Sequence, residues 1–574
     1  MKMTKALVFF CAAMLMLACD KGDTGNFKIS LKLPENIVGN CATDWKYDDF
    51  IDDFCIVKGD TIELTIFSTD DLAEGYVIDE TKVFPVTGQI SGETEFSRSL
   101  RTDRYYKFFV KVTNEREKVK LTGGLEGLFY EETKNYDVNV FLGLTGDFVR
   151  LVSDQGEKSS LETYIPEDDG SSGSRATVLR DGRILLAGGA VYNNNGDEVF
   201  EKTTNIVDTA HMKVEKGPLL KDGVKDHAMA TLHASNAPAG KAVVAFGKTR
   251  DGYNANVYLI DPAKKTVESK GSFGGRAHAR ALTINGEVYI TGGCDATSAT
   301  KDIIKVDKTG VASKWRDMTQ GRCLHGMVDV SYTDGEGNFR PAILVFGGAT
   351  KYIIKNTDRS LIGWDAGDTF AEVITENGST KLTVENAGLG FTLAGHASVR
   401  MKWDDQNKGP ADEIIAMAAG GFLQPAVDQD ITLSPNNYII RGTGDLTNPA
   451  GLTWTLSSYG SSIKCAYAMA APISSPENFS VQYAALNCGS GKSVERDYDT
   501  RDEQQIYVLE VRASGSAGSF SLTASARAGL VGTTDPNNPG LFSDGPVTTN
   551  DFGQAFLFGT RYVYVVSGFS YGLY

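Results

Sequence analysis

A hairpin of two apolar strands closing on glycine recurs seven times along the chain, and no other feature limits the possible folds as much. Its clearest copy is Arg276 to Cys294, RAHARALTINGEVYITGGC: an apolar strand, a turn at Asn285-Gly286, a second apolar strand and a closing Gly292-Gly293 pair. The other copies run from Ser174 to Gly189, His227 to Gly247, His325 to Gly348, His396 to Gly421, Cys465 to Gly489 and Gly553 to Gly568. A glycine pair at the end of a buried strand marks backbone that needs dihedrals closed to a side chain, or another backbone close by. The repetition therefore predicts one local geometry used many times.

Weaker strand pairs follow these hairpins. Examples are Asn205–Asp208 with Met212–Val214, Val257–Pro262 with Thr266–Glu268, Ile303–Asp307, Leu361–Asp365 with Phe370–Val373, Tyr438–Ile440 with Leu452–Leu456, and Ile506–Val511 with Phe520–Leu522. Four short strands recurring at roughly fifty residues or more predict a radial stack of small sheets, because one such sheet cannot bury both of its faces. The expected fold is all-β: a β-propeller of seven blades, or of six if one weak copy is not a blade. Little chain follows the last hairpin, so its outer strands are expected upstream, in Val138–Leu142 or in Asp147–Leu151. Strands from both ends would then close the ring and remove an exposed sheet edge.

These hairpins resemble the kelch repeat, in which a His or polar residue opens a strand, a turn follows, and an apolar strand ends in Gly-Gly. The resemblance covers about Asp147 to Tyr574. It is strongest around Arg175, Arg276 and Arg322 and weaker in the copies that have Lys248 and Ser490 in place of the second glycine. The stretch Asp181 to Gly189 also resembles the hairpin of galactose-oxidase-like propellers, but no copy supplies the tyrosines and histidines of their copper site. Asp-box repeats, an HExxH helix and a P-loop are all missing. The expectation is a binding protein that is not an enzyme and carries no cofactor or metal. The alternative is an uncharacterised propeller enzyme, oxidase-like or lyase-like, acting on carbohydrate.

At the N-terminus, Lys2 and Lys5 precede the apolar run Ala6 to Ala18, which is too short to span a bilayer and has the length of a signal-peptide core. Leu17-Ala18-Cys19 resembles a bacterial lipobox. That resemblance implies a signal peptide over 1–19, a lipid on Cys19, and anchorage in the cell envelope, at the outer membrane or cell surface. Residues 20–144 lack the hairpin motif and alternate with period two, as in Phe27–Leu33, Thr61–Phe67 and Tyr105–Thr113. They predict a β-sandwich domain, immunoglobulin-like in outline but without a Cys-Trp-Cys pattern, ahead of a propeller over 145–574.

Beyond Cys11 and Cys19, the even set Cys41, Cys55, Cys294, Cys323, Cys465 and Cys488 in an exported chain points to disulfides. Hairpin register and nearness in sequence favour Cys41 with Cys55, Cys294 with Cys323, and Cys465 with Cys488. A zinc site is the alternative for any pair, although no CxxC occurs. The net charge of −16 argues against a nucleic-acid partner.

His227, His278, His325 and His396 each open a first strand, at the place taken by Ser174, Cys465 and Gly553 in the other copies. Arg276 and Arg322 precede two of them, and Arg175 follows Ser174. In a propeller this position surrounds one mouth of the axis. The candidate binding face is thus Arg175, His227, Arg276, His278, Arg322, His325 and His396, with a protein or glycan as ligand and acidic groups favoured by the arginines. The structural alternative is that each histidine bonds backbone within its own blade.

Overall fold

The computed structural model describes, apart from short intervening stretches, residues 24–32, 56–144 and 175–460, and then the strands at 469–474, 481–487, 506–513, 520–527, 554–558 and 562–566. Except for one short 3-10 turn at Pro449–Gly451, every described element is a β-strand. The fold is all-β. The chain divides into two compact units, the first ending at Thr145 and the second beginning at Gly146, with Pro34–Asn36 grouped with the second.

The first unit is one seven-stranded sheet. Its strands lie in the order Val77–Pro85, Thr61–Thr69, Arg104–Thr113, Val119–Tyr130, Tyr136–Leu144, Thr24–Lys32 and Glu93–Arg101. All pairings are antiparallel except that of Thr24–Lys32 with Tyr136–Leu144. This single hydrogen-bonded order differs from the two separate sheets of an immunoglobulin-like sandwich. The two edge strands approach one another, with the Phe84 and Phe96 rings 4.4 Å apart and Arg98 3.5 Å from Glu80. The sheet curls because alternate residues of its strands seek one apolar interior: Phe27, Leu64, Ile66, Phe108, Val110, Val138 and Val140 are all fully buried. The segment Val138–Leu142 belongs to this sheet, which corrects its assignment as a closing strand for the last hairpin; Asp147–Leu151 lies outside the described residues.

The second unit is a succession of small sheets, each built on a four-strand antiparallel meander, to which the fifth adds Val384–Glu385 in parallel beside its outermost strand. The first comprises Arg175–Val178, Ile184–Ala187, Thr204–Asp208 and Lys213–Lys216; the second, Ala228–Leu232, Lys241–Ala245, Asn256–Asp261 and Thr266–Ser272; the third, Arg280–Ile284, Glu287–Thr291, Asp302–Val306 and Ala312–Asp317. The fourth has Gly326–Asp329, Ala342–Phe346, Ala371–Thr375 and Gly378–Lys381, and the fifth Ala397–Met401, Glu413–Ala419, Asn436–Thr443 and Thr453–Gly460. A sixth contains Met469–Ser474, Val481–Asn487, Ile506–Ala513 and Phe520–Arg527, and a final pair contains Gln554–Phe558 and Tyr562–Val566. In the fourth sheet Leu361–Trp364 is not the third strand that the sequence suggested. It pairs with Tyr352–Ile354 in a separate hairpin, and the third and fourth strands lie beyond it.

Second strands such as Lys241–Ala245 and Ala342–Phe346 are buried along their whole length. Both faces are covered because successive sheets pack face to face: Val243, Ala245, Phe246 and Leu259 of the second share one core with Ala279, Val288, Ile290 and Ile304 of the third. This is why the second strand of each copy reads as an unbroken apolar run and not as an alternation. First strands lie side by side from sheet to sheet, and Gln554–Phe558 adjoins both Met469–Ser474 and Arg175–Val178. Side chains tie these neighbours together. Thr231 Oγ1 donates to the Val178 carbonyl at 2.7 Å, Thr283 Oγ1 to the Thr231 carbonyl at 2.6 Å, and Arg400 Nη1 to the Asp329 carbonyl at 2.7 Å.

Candidate functional site

The glycine pairs set the geometry at one end of these sheets. Gly188 and Gly189 have φ of 62° and 109°, as do their counterparts within a few tens of degrees, and a Cβ at Gly348 would lie 2.6 Å from His325 Cβ. In the first four sheets the second glycine donates its N–H to a carbonyl of the next sheet: Gly189 to Val224 at 2.7 Å, Gly247 to Arg276 at 2.7 Å, Gly293 to Arg322 at 2.8 Å and Gly348 to Leu393 at 2.7 Å. Two residues after each acceptor comes a residue with positive φ, namely Asp226, His278, Leu324 and Gly395. These form a belt, in which His278 N donates to Asp226 O at 2.9 Å, Leu324 N to His278 O at 3.3 Å and Gly395 N to Leu324 O at 2.8 Å. A buried backbone donor needs an acceptor, and here the neighbouring sheet provides it.

This register separates the four histidines. His227, His325 and His396 follow the belt residue, whereas His278 is itself a belt residue and Ala279 stands at the histidine place in the third sheet. The reason lies in the preceding sheet. Each of the three imidazoles packs where the previous sheet's first glycine lacks a side chain, at Gly188, Gly292 and Gly347. At the second sheet that glycine is replaced by Phe246, also at positive φ (66°), so the next sheet accommodates its ring with alanine and covers it with the Arg276 guanidinium 3.8 Å from the ring centroid.

Most of the expected binding face is therefore interior. His227, His325 and His396 are 0% exposed, Arg276 3% and Arg322 2%, which corrects their reading as a solvent-facing rim. His325 Nε2 shares a 2.7 Å hydrogen bond with Thr291 Oγ1, while both ring nitrogens of His227 and of His396 are buried without a partner among the described residues. The backbone bonds expected for those two imidazoles are thus not made. Burial pushes their pKa down to about 3, so both rings are neutral at pH 7. Arg322 Nε meets Glu372 Oε1 at 3.1 Å and its Nη1 donates to the Gly347 carbonyl at 2.6 Å. Glu372 also accepts from Thr319 N at 2.6 Å.

Arg175 and His278 are only partly buried, and two residues outside the expected set join them. Arg280 occupies the same register place in the third sheet as Arg175 in the first, each opposite the residue that precedes a glycine pair. Ala228, Gly326 and Ala397 fill that place in the second, fourth and fifth sheets, so the two long cationic chains stand among small neighbours. Arg280 Nε donates to the His325 carbonyl at 3.0 Å, across to the fourth sheet. Burial, then the charge of Arg175, hold the Arg280 pKa down to about 10.

Asp226 is the carboxylate of this cluster. Burial alone would raise its pKa, but His278, Lys225, Arg175 and Lys248 together hold it below the usual carboxylate range. His278 is pushed down to about 4, by burial first, with Asp226 opposing and Arg175, Lys225 and Arg280 adding to the fall. At neutral pH Arg175, Lys225 and Lys248 act on this carboxylate, while Arg280 acts on the neighbouring His278. Oδ1 of Asp226 is buried with no hydrogen-bond partner among the described residues. Neither Arg280 nor Asp226 is set apart in the sequence by residue type or by local spacing. Only the repeat register would have aligned Arg280 with Arg175.

Chain segments that leave the glycine pairs build a rim at the same end. They include the hairpins Ala190–Tyr192 with Glu198–Phe200, Lys248–Thr249 with Gly252–Tyr253, and Tyr352–Ile354 with Leu361–Trp364. After the fifth sheet's pair, Phe422–Gln424 bonds to both Thr392–Ala394 and Thr432–Leu433. Between the third and fourth sheets, Cys294 and Cys323 form a disulfide at this end, as their register predicted. Cys19, Cys41, Cys55, Cys465 and Cys488 lie outside the described residues. No set of three or more His, Cys, Asp or Glu side chains able to hold a metal occurs among the described residues. No protein-family model matches the chain, and no curated protein does.

Proposed function

We propose that this chain is a lipid-anchored binding protein of the bacterial cell envelope, and that its second unit is a seven-bladed kelch-like propeller presenting its recognition surface at the glycine-pair end. The ring is supported by the cyclic order of first strands, in which the last hairpin adjoins the first sheet. The anchor rests on Lys2, Lys5 and Leu17-Ala18-Cys19. One observation carries the binding reading: the rim hairpins and the Arg175, Asp226, His278 and Arg280 cluster share one end of a rigid, interlocked scaffold. Loops on such a scaffold are where recognition usually resides. The ligand is a glycan or a protein, and the arginines at this end favour acidic groups.

A glycan and peptide array probed with the full chain tests this, alongside a variant with the hairpin 248–253 shortened to a two-glycine turn. The expected result is capture of an acidic ligand by the parent and loss of capture by the variant, with unchanged unfolding temperature. Equal capture by both places recognition elsewhere. Mass spectrometry of the mature N-terminus tests the anchor, and an unmodified terminus away from Cys19 refutes it.

A further inference from the structure

Resting on the lipid anchor proposed at Cys19, we infer that the first unit makes a second contact with the same membrane: Val77 and Ile78, at the start of an edge strand, insert into the lipid interface beside the anchor. Strand direction brings them there. Thr24–Lys32 runs parallel to Tyr136–Leu144, and antiparallel steps lead from that strand through Val119–Tyr130, Arg104–Thr113 and Thr61–Thr69 to Val77–Pro85. Alternate strands of this sheet therefore run the same way, and Thr24, Val77, Arg104 and Tyr136 all stand at one end of it. The chain leaves the sheet for the second unit after Leu144, at the other end.

Reach selects the occupant. Four residues separate Cys19 from Thr24, and a chain of that length spans about 18 Å at full stretch. A lipid on Cys19 thus holds this end of the sheet close to the bilayer surface, so lipid, and not a second protein, is what the covalent chain brings within range. At that end Val77 is 60% exposed and Ile78 64%. Neighbours on a strand, they project to opposite faces, and the sheet covers neither. Ile78 lies opposite the half-buried Phe67, and Lys107 Nζ is 5.6 Å from the centroid of that ring. The outer row here passes from an aliphatic edge through an aromatic ring to a cation, the order in which side chains meet a bilayer from its acyl boundary to its headgroups. Charge has the lesser part, because Arg104 is held by Asp70, with Nε 2.7 Å from Oδ1. An apolar contact of this kind survives salt.

The acylated full chain, reconstituted in phosphatidylethanolamine and phosphatidylglycerol vesicles with and without a brominated phospholipid, tests this through two variants, Ile78→Trp and Val83→Trp. Val83 is the control, 58% exposed on the same strand but about 17 Å further along it. The inference expects the fluorescence added by Ile78→Trp to be blue-shifted and largely lost to bromine, that added by Val83→Trp to be unchanged, and neither result to alter at high salt. Adding Val77→Asp to the Ile78→Trp chain should restore most of the lost fluorescence, since a carboxylate resists the apolar region. Equal quenching of both tryptophans, quenching of neither, or quenching abolished by salt overturns the inference. So does a blue shift of Ile78→Trp that follows protein concentration and not bromine, which makes a second copy the occupant. Should a tryptophan variant melt well below the parent, a diazirine-bearing phospholipid decides on the parent itself: adducts at Val77 and Ile78 support the contact, and adducts confined to residues before Thr24 refute it. Mass spectrometry of the N-terminus of the same preparation separates this contact from the anchor. An acylated Cys19 with unquenched Ile78→Trp removes only the contact, whereas an unmodified terminus away from Cys19 removes both.

Discussion

His227 and His396 show how a residue that looks functional becomes structural when its neighbour lacks a side chain. Each imidazole fills the space above a glycine of the preceding sheet, where burial keeps it neutral with a pKa of about 3. Above pH 6.5 both the folded and unfolded chains carry neutral rings. As pH falls from 6.5 toward 3 the unfolded chain takes up protons that the folded one refuses, so stability declines by about 1.4 kcal/mol per pH unit for each such histidine. Carboxylates begin to contribute only near the lower end of that window. Urea unfolding between pH 6.5 and 5 should therefore show stability falling with acid, and His396→Leu should flatten the slope by about one proton. An unchanged slope would mean that His396 is already protonated in the fold. Arg322 and Glu372 give a second prediction, since removing one member of a buried, hydrogen-bonded pair strands the other: Glu372→Ala should cost about 3–5 kcal/mol in the same assay. Neither change should alter binding of an acidic ligand beyond the loss of folded protein.

At the scale of one hairpin, much of the structure was legible in the sequence, because the constraint is local. A glycine pair, a turn such as Asn285-Gly286 and two apolar runs can hardly make anything but a strand pair, and the register that follows places Cys294 and Cys323 on facing ends of consecutive hairpins. Exposure of the residues opening the first strand was not legible. Whether His325 meets water or Gly292 depends on the sheet before it, and a one-residue shift separates His278 from His227 because Phe246 replaced a glycine. The neighbourhood of Arg175, Asp226, His278 and Arg280 was hidden for the same reason, as segments of three different sheets contribute to it. The disulfide supplies the prediction at this scale. It closes a loop of 29 residues, for which chain entropy gives about 3–4 kcal/mol. Cys294→Ser with Cys323→Ser should lower stability by about that amount and raise hydrogen exchange first in the bridged segment, Asp295 to Gly321. Exchange that rises uniformly instead would mean that the bridge acts on the whole unit and not on its own loop.

For the second unit as a whole, the decisive question is what happens at its seam. From the first sheet to the fifth, each junction is made twice, by packing between faces and by the N–H of a second glycine reaching the next sheet, as from Gly293 to Arg322. At the seam the pair Gln554–Phe558 and Tyr562–Val566 stands between the sixth sheet and Arg175–Val178, where it covers an edge that would otherwise be open. An open series of sheets and a closed ring then differ in their response to damage at one end. In an open series, each sheet depends on its nearest neighbours, so removing the last pair loosens the sixth sheet and little else. In a ring the same removal also strips the cover from Arg175–Val178, the sheet furthest away in sequence. Deleting residues 554–574 should, on the ring reading, lower the melting temperature of the second unit as one transition. It should also speed amide exchange at Ala176 and Leu186 as much as at Ala484 and Leu486, while Phe108 and Val110 of the first unit keep their protection. Fast exchange confined to the sixth sheet would leave the all-β meander intact and refute the closure.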